Sequence, residues 1–106
     1  MDDTGLLIDR VNAIHPSSPD AEDTLMDGYA HALALEAERN RLEHRFAVLA
    51  QAAAEDREGQ RLQELRSLRQ RISSVDDELV RLRDVLTAVR RRLVAGAAAA
   101  AAENAF

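Results

Sequence analysis

Leu65, Leu68, Ile72, Val75, Leu79, Leu82, Leu86, Val89 and Leu93 follow one another at alternating steps of three and four without a miss. That alternation averages 3.5 residues, the period of a coiled-coil seam; an ordinary amphipathic helix drifts toward 3.6. It predicts a helix over 61–94 with two aliphatic rows, one of Leu65, Ile72, Leu79, Leu86 and Leu93, the other of Leu68, Val75, Leu82 and Val89. Upstream, Leu35, Leu42 and Leu49 recur every seven residues, and Phe46 and Ala53 continue a second row begun by Leu25 and Ala32. Arg39 interrupts that second row. This weaker stripe predicts a helix over about 19–54, with Gly28 as a soft spot that need not break it.

Between the two stripes the apolar period lapses at Glu-Asp-Arg-Glu-Gly-Gln, residues 55–60, and a turn is expected there. The rival reading is one uninterrupted helix, because a single glycine costs only about 1 kcal/mol relative to alanine. At the front, Leu6, Leu7, Val11 and Ile14 fall at helical spacing, so a short amphipathic helix is expected, too short to hold alone and needing a dock. Pro16-Ser17-Ser18-Pro19 then breaks the chain. Ser18 is expected to cap the next helix, with Pro19 at its first position and Asp20, Glu22 and Asp23 favoured in the first turn by the helix dipole. After Val94 the chain is almost all alanine, a low-complexity tail over 95–106 for which a fraying helix, favoured by alanine, and disorder both stay open.

The expected fold is therefore all-α. Residues 1–18 form a short helix and linker, and residues 19–94 an antiparallel two-helix hairpin or coiled coil, with the tail behind it. Such hairpins associate into helical bundles, so a homo-oligomer, most simply a dimer, is expected. The residues expected to form its interaction seam are the nine of the third segment together with Leu35, Leu42, Phe46 and Leu49.

Composition narrows this picture. Aromatic residues are only 3% of the chain, which suits a thin aliphatic core better than a compact globule. All positive residues are Arg, and the net charge of −5 argues against direct nucleic-acid binding. The charge is split: residues 1–60 carry 13 acids and 5 bases, residues 61–106 carry 6 acids and 9 bases. Opposite-signed segments suit packing on each other or on copies of each other. In a parallel pairing of the third segment, Glu64, Arg71, Glu78 and Val85 would face Arg69, Asp76, Arg83 and Arg90, and three of those four pairs are opposite in sign. There is no cysteine, no secretory pattern and no run of about 20 apolar residues, so a cytoplasmic protein outside the membrane is expected.

Candidate chemistry is sparse. His15, His31 and His44 share no helical i,i+4 spacing with one another, and Asp27 with His31 makes only a two-residue surface pair. No phosphate loop, zinc-helix motif or nucleophile elbow is present, so no catalytic residue, metal or cofactor is expected. Arg90-Arg91-Arg92 near the end of the third helix complements the helix dipole, or offers a contact for an acidic partner or a phosphate.

Two stretches resemble known families. Leu68-Arg69, Ile72, Val75-Asp76, Glu78-Leu79-Val80 and Leu82 look like the opening of the first helix of all-helical chorismate mutases, with Arg69 at the place of an active-site arginine. Leu86 stands where that family's next arginine belongs and alanines follow, so enzyme activity is not expected. Glu64-Leu65-Arg66-Ser67-Leu68-Arg69, Glu78-Leu79 and Leu82-Arg83 resemble the start of the first motif helix of RsiG-type anti-sigma factors, the aerial mycelium formation proteins. That resemblance, over residues 64–93, implies a hairpin that holds a sigma factor. The family's cyclic di-GMP motif, Glu-x3-Ser-x2-Arg-x3-Gln-x3-Asp, falls on Asp76, Val80, Arg83, Thr87 and Arg91, where only Arg83 matches and Asp76 is a near match. The expected function is thus protein–protein interaction without catalysis, with sequestration of a sigma factor as the alternative.

Overall fold

The structure, a computed structural model, describes residues 3–55 and 59–104. Among them are three helices and no strand: α1 (Asp3–Asn12), α2 (Ala21–Ala54) and α3 (Gln60–Asn104). The chain is all-α, and α2 and α3 pack together as a hairpin. Two compact units are built on it, one from Met1–Ala32 with Val80–Phe106, the other from Leu33–Leu79.

In the first unit α1 supplies Thr4, Leu7, Ile8 and Val11 to the interior, at steps of three, one and three along one helical face. Leu6, expected on that face, is exposed, and Ile8 is buried in its stead. The face is rotated because Thr4 is small enough to be buried and carries its own partner, with Oγ1 2.9 Å from His31 Nε2. From α2 come Ala21, Thr24, Gly28 and Ala32; from α3 come Leu82, Leu86 and Val89, each at most 1% exposed. Gly28 is a point of close approach. A Cβ there would lie 2.6 Å from Leu86 Cδ2, which would have to shift, and in ordinary contact with Val11 Cγ2 at 3.4 Å, so glycine lets α2 come this near α3 with Leu86 undisturbed.

The start of α2 differs from the expected cap. Asp20 C=O accepts the first helical bond, from Thr24 N–H at 3.0 Å, so the helix begins about two residues later than Ser18 would set it. Ser18 Oγ turns back and accepts from His15 N–H at 3.2 Å, closing the Pro16–Pro19 bend instead of capping α2. Nor does α3 stop at 94. It runs as helix through the alanines to Asn104, and a Cβ on Gly96 would stand 3.3 Å from Pro16 Cγ. Alanine is the best helix former, and the bend gives this stretch something to lie against.

In the second unit Leu35, Leu42, Leu68, Val75 and Leu79 are buried, while Phe46, Leu49, Leu65 and Ile72 are half-buried. Arg61 Nη1 donates to Ala52 C=O at 2.9 Å and Arg39 Nη1 to Asp76 Oδ1 at 3.2 Å. Partners on α3 rise in number as those on α2 fall, which is the antiparallel sense. The Arg61 bond thus reinforces the end of α2, where the same Ala52 carbonyl also accepts from Glu55 N–H at 3.2 Å. α2 ends at Ala54 and α3 starts at Gln60, behind Gly59 at φ +71°. That left-handed backbone is open to glycine at little cost and explains its place in the expected 55–60 turn. Asp56, Arg57 and Glu58 of that turn lie outside the described residues.

Candidate functional site

The expected seam residues face inward in both units. In the first unit Leu82, Leu86 and Val89 are buried and Leu93 is half-buried. In the second the inward residues are those named above, covered by α2. The seam of α3 is thus covered by the chain's own helices. One of the charges flanking it is engaged in the same way: Asp76, expected opposite Arg71 of another copy, is held by Arg39. Arg39 is the residue that breaks the α2 row. Its Nη1 reaches Asp76, whereas its buried Nε makes no hydrogen bond and has Glu43 Oε1 4.0 Å away.

Other expected candidates disperse. Asp27 pairs with Arg10 at 3.4 Å and His31 with Thr4, so these two residues are turned to different partners. His15 Nδ1 accepts from Ser17 N–H at 3.2 Å inside the linker, and His44 is exposed in the second unit. Among the described residues no group of three or more His, Asp or Glu is placed to hold a metal ion, and no helix is long and apolar enough to cross a membrane.

What the first unit does present is an apolar groove of about 510 Å³. It is lined by Tyr29 of α2 and by Thr87, Arg90, Arg91, Val94, Ala95 and Ala98 of α3. Val94 is 62% exposed and Tyr29 40%; Met26, one turn before Tyr29 on α2, is 68% exposed. Arg92 is turned away, donating to Asn12 C=O at 3.4 Å. The arginine triplet therefore divides: Arg90 and Arg91 line the groove and Arg92 ties α3 to the end of α1. Neither Arg90 nor Arg91 meets an acid among the described residues. Sequence reasoning picked out the arginines but missed Met26, Tyr29 and Val94, because all three lie off the heptad rows. The available signal was their spacing beside the rows, Met26 on the side of α2 opposite Gly28 and Ala32, Tyr29 and Val94 on the flanks of their helices next to the rows.

Of the positions aligned with the cyclic di-GMP motif, Asp76 is held by Arg39 in the second unit. In the first unit Val80, Thr87 and Arg91 are exposed. No family model matches the chain, and neither a curated protein nor a solved structure matches it.

Proposed function

We propose that this chain is a non-enzymatic interaction protein that works by helix-to-helix contact with copies of itself or with a partner. The observation that carries this reading is the groove beside Tyr29. Single exposed apolar residues are ordinary on any surface, but apolar side chains gathered round a concavity mark contact sites. Two arginines beside them suit such a site, since Arg is enriched at interfaces where most charges are depleted. The seam cannot serve a partner without opening the hairpin, so contact falls to the outer faces.

A second reading is a regulator that holds a sigma factor, as the likeness of residues 64–93 to RsiG-type proteins implies for the hairpin; exposed Met26 and Tyr29 offer α2 as the contact face. Both readings meet one experiment. Light scattering of the purified chain is run across a dilution series, alone and with each sigma factor of the same genome. Self-association or a stable complex, weakened by Tyr29→Asp with circular dichroism unchanged, is the expected result. A chain that remains a monomer at every concentration and takes up no sigma factor would remove both.

A further inference from the structure

We infer that the groove of the first unit is filled by the start of α2 from a second copy of this chain, in a twofold dimer. This rests on the reading of the chain as an interaction protein and names the partner and the surface.

Charge and shape point to that occupant. The groove needs an apolar residue for its floor and acids for Arg90 and Arg91. On α2, Met26 projects into solvent, and Glu22 and Asp23 lie four and three residues before it, so they flank it on the same outer face. Glu22 and Asp23 are both exposed and neither meets a base among the described residues. The next acid, Asp27, is taken by Arg10 and is left out of the contact. One unit therefore carries both halves of a complementary pair: a groove with two unpaired cations, and a helix face with one large apolar side chain and two unpaired anions. A twofold axis uses such a surface twice, since whatever one copy presents the other receives. Tyr29 lines the groove and sits one turn beyond Met26, which places the two half-sites side by side.

The test exchanges the charges. One variant carries Arg90→Glu and Arg91→Glu, the other Glu22→Arg and Asp23→Arg. Light scattering across a dilution series reads the dimer dissociation constant, and circular dichroism with thermal melting confirms that each variant is folded. The wild type is expected to dimerise. Either reversed variant alone places like charges opposite each other at both half-sites and is expected to dimerise at least about tenfold more weakly. Mixed in equal amounts, the two variants are expected to regain the dimer, because acid then meets base at both half-sites. If a reversal disturbs folding, Arg90→Gln with Arg91→Gln and Glu22→Gln with Asp23→Asn replace it, each expected to weaken the dimer and to recover it in part on mixing, because one of the two half-sites then again sets Glu22 and Asp23 against Arg90 and Arg91. A wild type that stays monomeric overturns the inference. So does a dimer indifferent to the reversals, or one they abolish and mixing does not restore. A monomer that still binds a sigma factor overturns the second copy and leaves the interaction reading standing.

Discussion

Gly28 and Arg39 each break the apolar pattern of α2, and for opposite reasons. Gly28 is where a side chain would collide. Replacing it gains helix propensity of about 1 kcal/mol. Leu86, however, is 1% exposed, so its Cδ2 has to shift within the packed interior rather than out into solvent. Overpacking a closed core costs roughly 1–3 kcal/mol, and a β-branched residue is the least able to turn aside. Gly28→Val is therefore expected to lower stability by about 2 kcal/mol, read from the urea midpoint; an unchanged or higher midpoint would show that α2 can retreat at no cost. Arg39 is where a charge sits in an apolar row. Its bond to Asp76 is part-exposed, and such pairs contribute about 1 kcal/mol or less, against a buried Nε without a hydrogen bond. Arg39→Leu is expected to be neutral or to stabilise by about 1 kcal/mol. A clear loss in the same urea experiment would mean that the ion pair outweighs its desolvation.

At the scale of elements, α3 separates core from surface within three residues. Leu79 is 1% exposed, Leu82 0% and Val80, between them, 58%. Burying an unpaired carboxylate costs far more than a hydrophobic contact is worth, so Leu79→Asp and Leu82→Asp are each expected to abolish the thermal transition and most of the helicity. Val80→Asp is expected to melt within a few degrees of the wild type. Equal behaviour of all three would place the seam elsewhere. That seam was the most legible feature of the sequence, because one residue class repeats at one period over a long stretch. The bounds of α2 and the face of α1 were less legible, for physical reasons. Ser18 could cap α2 or close the bend before it, and only the competing N–H of His15 decides. Thr4 reads as polar until His31, 27 residues on, supplies its partner. The groove was the least legible, since Tyr29 and Val94 become neighbours only through the antiparallel pairing of α2 and α3 within the first unit.

For the whole molecule, net charge and local charge act in opposite directions on association. Each copy carries −5. Two such charges ~20 Å apart repel by roughly 5 kcal/mol in salt-free water. At 0.1 M salt the Debye length is about 10 Å, and that repulsion falls below about 1 kcal/mol. The proposed contacts of Glu22 and Asp23 with Arg90 and Arg91 span only ~4 Å and survive the same salt with most of their strength. At 1 M the Debye length is about 3 Å, and they too fade to about a quarter. The dimer is therefore expected to be tightest near 0.1–0.2 M salt and weaker both below and above. The fold of the single chain has a different dependence. Its interior is largely aliphatic and the ion pairs of Arg10 and Arg39 are partly exposed, so its melting temperature is expected to vary little over the same range. Dissociation constants from light scattering at a series of salt concentrations, beside melting curves at the same concentrations, separate the two. A constant that falls steadily up to 1 M would mean that apolar contact alone holds the copies together, and Glu22, Asp23, Arg90 and Arg91 would lose their role in the pairing.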